Sequence, residues 1–161
     1  MLERLLAALD RILSLVTGAI LVVTAVLIFI AVVLRYLFGT ALLYSYDLST
    51  LLFGWMVFLG LALAQLDRAH LGLDLVEGLH SRGLRVGLGT LRQLGLAALS
   101  FWLAWVGYEL SFRTGMRIPS MRISVAWLYS ALPIGFALLA LLHLVQIRAL
   151  LAAPAPEPRA R

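Results

Sequence analysis

The chain has 161 residues, of which 63% are hydrophobic and 13% charged, with a net charge of +5 and no cysteine. A soluble domain is about 45–50% apolar and about 25% charged, so this composition excludes both an ordinary soluble globule and a disordered chain. Without cysteine, disulfides, iron–sulfur clusters and thiolate zinc sites are excluded as well.

The dominant pattern along the chain is a series of long apolar stretches. A membrane-spanning helix needs about 20 mostly apolar residues. Four stretches reach that length, namely Ile12–Leu34, Leu48–Leu66, Val86–Tyr108 and Val125–Ile147. The connections are too short to fold separately. We therefore predict one all-α, polytopic membrane domain over residues 1–161, with four transmembrane helices.

The arginines predict the orientation of these spans, because basic residues are more frequent on the cytoplasmic side. The N-terminal tail, the second loop, the start of the third span and the C-terminal tail hold nine arginines: Arg4, Arg11, Arg68, Arg82, Arg85, Arg92, Arg148, Arg159 and Arg161. The first and third loops hold four: Arg35, Arg113, Arg117 and Arg122. Both termini are therefore predicted to be cytoplasmic. Topology also accounts for the positive charge without a nucleic-acid partner.

Two segments outside the spans have patterns of their own. In the second loop, Asp67–Arg85, leucines recur every four residues, at Leu71, Leu75 and Leu79. Asp74 and Glu77 share the opposite face, as is typical of a short helix in the membrane interface; an ordinary loop extending the neighbouring spans is the alternative. The proline-rich tail, residues 153–161, is predicted to be disordered.

Within the spans, a few residues predict helix geometry. Pro133 is expected to kink the fourth span, because proline removes a helical hydrogen bond. The pair Gly60 and Ala64, and the pair Gly83 and Gly87, are spaced to let helix backbones approach closely.

The predicted spans contain few charged side chains. The first, second and fourth contain no Asp, Glu or Arg, whereas a membrane protein that moves ions by itself usually buries such groups. We therefore predict an accessory subunit that is not an enzyme and has no catalytic residue, cofactor or metal. The alternative is a haem-anchoring or other assembly subunit of a membrane oxidoreductase. Bis-histidine ligation needs two facing imidazoles, and only His143 lies in a span, where we interpret it as interfacial.

Several short segments together resemble a known family. They are Leu34-Arg35-Tyr36-Leu37-Phe38, Tyr44-Ser45-Tyr46-Asp47-Leu48, Trp55-Met56-Val57-Phe58-Leu59-Gly60, His70-Leu71-Gly72-Leu73-Asp74, Ile118-Pro119 and Trp127-Leu128-Tyr129-Ser130-Ala131-Leu132-Pro133-Ile134-Gly135. Their order and spacing resemble the small, DctQ-type membrane subunit of tripartite ATP-independent periplasmic (TRAP) transporters. The chain departs from the pattern at Tyr44, which replaces a usual Trp, and at Tyr46, which replaces a usual acid.

The resemblance implies partners and a location. A large membrane subunit (M type) would carry the substrate and sodium sites, and a periplasmic solute-binding protein (P type) would deliver an organic acid. The small subunit would pack on the scaffold of the large one and help present a docking surface, in the bacterial inner membrane and in contact with its lipids. The substrate cannot be read from this chain, because its choice would belong to the other two proteins.

Two groups of residues are candidate sites. Arg35 and Asp47 flank the first loop, and we predict an ion pair there; separate contacts with water and headgroups are the alternative. Three arginines, Arg113, Arg117 and Arg122, lie in the third loop, Glu109–Ser124. They are predicted to steer an acidic periplasmic partner, although contacts with lipid phosphates or with acids of the large subunit would suit them equally.

Overall fold

The structure, a computed structural model, describes residues 2–71 and 82–152. Its helices, numbered in chain order, are α1 Leu2–Leu37, α2 Ser45–Leu71, α3 Arg82–Arg113, α4 Ala126–Tyr129 and α5 Ala131–Ala152. Within the described residues, β-structure is limited to an isolated antiparallel bridge between Arg117 and Ser124. The predicted all-α class is confirmed.

Four segments are long and apolar enough to cross a membrane: Arg4–Leu37, Ser45–Asp67, Gly87–Arg113 and Ala126–Arg148. The third extends beyond its predicted end, so Glu109 belongs to α3 and the third loop is confined to residues 114–125. A salt bridge between Glu109 and Arg113, four residues apart on the helix, accompanies this extra turn. The predicted interfacial helix and disordered tail fall mainly on residues 72–81 and 153–161, which lie outside the described residues.

The helices form an open row. Among the described elements, α1 packs against α2, α2 also packs against α5, and α5 also packs against α3. Because the backbone of α1 does not approach that of α3 or α5, the described helices do not close into a four-helix bundle, and the row exposes two broad apolar sides. We call the end that holds residues 38–44 and 114–125 the loop end, and the opposite end the terminal end.

The centre of the row is held by aliphatic packing and by close backbone contacts. The core cluster joins α1, α2 and α5 and contains Leu13, Leu59, Ala62, Leu66 and Leu142. A Cβ added to Gly135 would lie 2.6 Å from Cβ of Phe58, and one added to Gly107 would lie 2.2 Å from Cδ2 of Leu132. These two glycines therefore let α5 approach α2 and α3 closely.

The glycines at which helices approach each other closely are not the ones that the sequence predicted. A Cβ added to Gly60 or to Gly87 would meet no atom of the described residues within 4 Å. Their spacing of four from another small residue is correct for a close contact. The spacing cannot show which face of the helix a neighbour occupies, and among the described residues the predicted close approach does not occur at Gly60 or Gly87.

The fourth span is interrupted near its start. The short helix α4 ends at Tyr129, and α5 begins at Ala131. Pro133 has no N–H to donate to the carbonyl of Tyr129, and its ring crowds that carbonyl, which lies four residues earlier. The backbone N–H of Ile134 still bonds the carbonyl of Ser130, at 3.3 Å. Ser130, between the two helices, keeps helical dihedral angles, so the loss of one hydrogen bond at Pro133 is present and the kink of the helix axis stays a prediction.

Candidate functional site

The third loop is an ordered turn at the loop end. The backbone N–H of Ile118 donates to the carbonyl of Ile123 at 2.8 Å, and that of Val125 donates to the carbonyl of Met116 at 3.0 Å. Pro119 follows Ile118, and proline favours the second position of such turns because its φ is preset. Arg122 takes a left-handed φ of 55°. The Ile118 side chain is buried, so the turn is anchored to the rest of the protein.

The three arginines predicted to steer a partner differ in whether a neighbouring carboxylate offsets their charge. All three side chains are exposed. Arg113 donates to the Glu109 carboxylate at 2.5 Å, so its charge is offset within α3. Arg117 and Arg122 stand on either side of residues 118–121 in the sequence, and no carboxylate of the described residues forms a salt bridge with either. The positive potential of this surface therefore comes mainly from Arg117 and Arg122.

Asp47 binds this turn instead of the arginine predicted from the sequence. It lies in the first turn of α2, where the helix dipole favours an anion. The Ser120 hydroxyl donates a hydrogen bond to its carboxylate. Within the described residues, the expected pair with Arg35 does not form, and Arg35 is exposed at the end of α1. The contact joins the start of α2 to the third loop at the loop end.

Two of the segments that carry the family resemblance face each other beneath this turn. The indole N–H of Trp55 on α2 donates to the Trp127 carbonyl on α4 at 3.0 Å. Next to this hydrogen bond, the Leu128 side chain lies against Gly54, where an added Cβ would approach it to 3.0 Å. The Trp55 indole and the adjacent Gly54 thus hold α4 against α2.

A shallow cavity of about 400 Å³ opens beside α4. It is lined by Ser111, Phe112, Thr114, Ser124, Ala126, Trp127 and Ser130. The hydroxyls of Ser111, Thr114 and Ser130 donate to main-chain carbonyls three or four residues earlier in the chain. Ser124 accepts a hydrogen bond from the backbone N–H of Ala126. Because these polar groups are engaged locally and none is charged, the cavity does not define a ligand.

A second polar cluster joins three helices in the half of the row nearer the terminal end. The Gln146 carbonyl oxygen on α5 accepts from Gln65 on α2 at 3.0 Å and from Gln93 on α3 at 2.6 Å. Nδ1 of His143 bonds Oε1 of Gln93 at 2.6 Å. His143 is only 4% exposed, so it lies between helices, and its position at the level of the membrane interface stays a prediction. Its spacing of three from Gln146, which puts both on one helix face, was the available signal.

This amide–imidazole cluster bears on metal or cofactor binding. Within residues 2–71 and 82–152, no group of three or more His, Asp or Glu side chains could hold a metal ion together. His143 uses one ring nitrogen in the contact with Gln93. In the described part of the chain the cluster therefore joins helices by hydrogen bonds and assembles no ligand set.

Comparison with known proteins identifies the family. No curated protein sequence matches this chain. The model of the DctQ component of tripartite ATP-independent periplasmic transporters matches residues 24–153, which include the C-terminal part of α1 and all of α2 to α5. The match includes the facing Trp55 and Trp127 segments and the turn that carries Arg117 and Arg122. The chain therefore belongs to the DctQ family and is a small, multi-pass membrane component of a TRAP transporter.

Proposed function

We propose that this chain is a non-catalytic subunit that packs on the scaffold of a larger permease subunit and supports docking of a periplasmic solute-binding protein. In this proposal the complex takes up an organic acid, driven by sodium, across the bacterial inner membrane. Both termini are cytoplasmic, and the loop end faces the periplasm. The excess of arginine at the terminal end supports that orientation.

The docking role is supported above all by the rigid presentation of two charges. Arg117 and Arg122 are exposed on a turn that is hydrogen-bonded across its base and attached to α2 through Asp47. Charges held in a fixed geometry at the rim of an interface raise the rate of encounter and set the register of an oppositely charged partner. An acidic surface on the solute-binding protein is the complement that this turn would fit.

A supporting role rather than independent transport agrees with the polar groups in the spans. Uncharged amides and one imidazole make up the cluster of Gln65, Gln93, His143 and Gln146. Transport sites in membranes normally use ionisable side chains or exposed carbonyls around a cavity. Here the amides bond one another across helices, which suits a rigid block attached to a moving partner.

Reconstitution into liposomes tests the proposal. The chain by itself, the large subunit with its solute-binding protein, and all three proteins together are compared for sodium-driven uptake of candidate organic acids. We expect uptake from the complete set, little from the pair and none from this chain by itself. Sodium-driven accumulation by this chain without the large subunit would refute the supporting role, as would full uptake by the pair without it.

A further inference from the structure

The free side of α3 carries an aromatic surface. This helix lies at one edge of the row and packs on α5 and α4. Five aromatic side chains are exposed along it: Phe101, Trp102, Trp105, Tyr108 and Phe112. The rings of Tyr108 and Phe112 lie 4.5 Å apart and those of Trp105 and Tyr108 lie 6.2 Å apart. We call these five residues the aromatic surface.

One member of the aromatic surface lies deep in the membrane. Arg92 and the paired Glu109 and Arg113 are the charged residues that bound the apolar part of α3, which is residues 93–108. These 16 residues span about 24 Å, most of the hydrocarbon core. Trp102 stands ten residues from Arg92 and seven from Glu109. At 1.5 Å per residue it is about 15 Å and about 10 Å from the two boundaries, near the bilayer centre.

The indole N–H of Trp102 has no acceptor at that depth. No hydrogen bond links it to any described residue, in contrast to the indole N–H of Trp55, and the side chain is 61% exposed. Acyl chains offer no acceptor, so a polar N–H that faces lipid near the bilayer centre is unfavourable. Tryptophan in contact with lipid normally lies at the interface, where its N–H reaches water or headgroups.

The opposite edge of the row is formed by α1, and it exposes mostly aliphatic side chains. Between Leu21 and Val32, the exposed large side chains of α1 are aliphatic except for Phe29. Aliphatic surface needs no acceptor and is suited to acyl chains. The two edges are thus unequal: residues 21–32 of α1 expose no polar side chain, whereas α3 exposes an indole N–H that lipid leaves unsatisfied. Nearby on α3, Gly95 is exposed, and a Cβ added there would meet no described atom within 4 Å, which leaves room for a close neighbour.

We propose that the aromatic surface of α3 is the lateral interface with another membrane-embedded component of the transporter. The partner would contribute a transmembrane segment with an oxygen acceptor, a carbonyl or hydroxyl, near the bilayer centre, and this acceptor would bind the indole N–H of Trp102. The inference rests on the proposed function, because it assigns a surface to the packing that the proposed function requires. Tryptophan is also among the residues that contribute most to binding energy at protein interfaces.

Site-specific cross-linking tests the interface in the assembled complex. The photoreactive residue benzoylphenylalanine replaces Trp102 in one variant and Phe29, exposed on α1, in a matched control. After illumination in native membranes, position 102 should yield a covalent adduct with the large membrane subunit several-fold more often than position 29. Adducts from position 102 with lipid or with a second copy of this chain, and none with the large subunit, would overturn the proposal.

A conservative substitution isolates the hydrogen bond. Trp102→Phe keeps an aromatic ring and removes the N–H. We expect it to lower recovery of the large subunit in mild detergent about threefold, the factor that corresponds to the loss of one average interhelical hydrogen bond in a membrane. The thermal stability of the isolated chain should not change, because no described residue accepts from this N–H. Unchanged recovery contradicts the hydrogen bond.

The outcomes separate this inference from the proposed function. If position 29 cross-links to the large subunit and position 102 does not, the subunit role stands and the assigned surface is wrong. If no membrane protein co-purifies with the unmodified chain, both the surface and the subunit role fail.

Discussion

The indole N–H of Trp55 donates to the main-chain carbonyl of Trp127, 3.0 Å away, and so joins α2 to the short helix α4 across 72 positions of sequence. We expect Trp55→Phe to lower the unfolding free energy of the detergent-solubilised chain by about 1 kcal/mol, the net value of such a hydrogen bond. Thermal unfolding followed by circular dichroism measures it. Trp105→Phe is the control, because no described residue accepts from that indole; an equal loss in both variants would contradict the role of the bond.

Close contact between α5 and α2 depends on Gly135. A Cβ at this position would lie 2.6 Å from Cβ and 2.7 Å from the carbonyl oxygen of Phe58, and backbone cannot move aside as a flexible side chain can. Gly135→Ala should therefore destabilise the chain by about 1–3 kcal/mol, as overpacking does. The same substitution at Gly60 meets open space and should be neutral or stabilising, since alanine favours the helix by about 1 kcal/mol. Equal thermal stabilities of the two variants would exclude the contact.

Asp47 should be coupled energetically to Ser120 and not to Arg35. A double-mutant cycle with Asp47→Ala and Ser120→Ala should give a coupling of about 0.5–1.5 kcal/mol, the range for a hydrogen bond. A second cycle with Asp47→Ala and Arg35→Ala should give a coupling near zero, because no salt bridge joins these residues. Chemical denaturation in detergent reports both values, and a larger coupling in the second cycle would restore the ion pair that the sequence predicted.

Gln146 accepts two hydrogen bonds, so its removal leaves the buried amide of Gln93 and the half-buried amide of Gln65 without this acceptor. Gln146→Met keeps the volume of the side chain and removes both bonds. We expect a loss of about 1–3 kcal/mol in unfolding free energy, the cost of unsatisfied buried donors. Leu144→Met on the exposed side of the same helix is the matched control and should have little effect. If the two variants have the same unfolding free energy, the amide cluster contributes nothing to stability.

The three docking arginines should contribute unequally to the association rate of the solute-binding protein. Combined Arg117→Gln and Arg122→Gln substitutions remove the charges that no described carboxylate offsets, and association of the solute-binding protein should slow by about tenfold at low salt. Arg113→Gln is the matched control, because Glu109 already offsets that charge. The difference should vanish at about 1 M salt, where the Debye length is about 3 Å. Surface plasmon resonance on the membrane complex measures these rates, and equal rates for the double variant and the unmodified complex would exclude steering.

Hydropathy along the chain determined the class of this protein and its number of spans. Each span is a local property, because about 20 consecutive apolar residues suffice to cross a bilayer wherever the neighbours lie. The same holds for Pro133, which alters hydrogen bonds within its own helix. The helix ends were less well predicted, since the turn that contains Glu109 and Arg113 carries charges and yet remains helical.

Only the tertiary structure decided how the helices face one another. The row order, the close approach at Gly107 and Gly135 instead of Gly60, and the burial of His143 all depend on which side of each helix meets a neighbour. In a membrane this choice is poorly encoded by hydropathy, because lipid-facing and protein-facing surfaces are equally apolar. The partner of Asp47 was undetermined for a related reason: Ser120 lies 73 positions away, and only the folded turn brings its hydroxyl to the carboxylate.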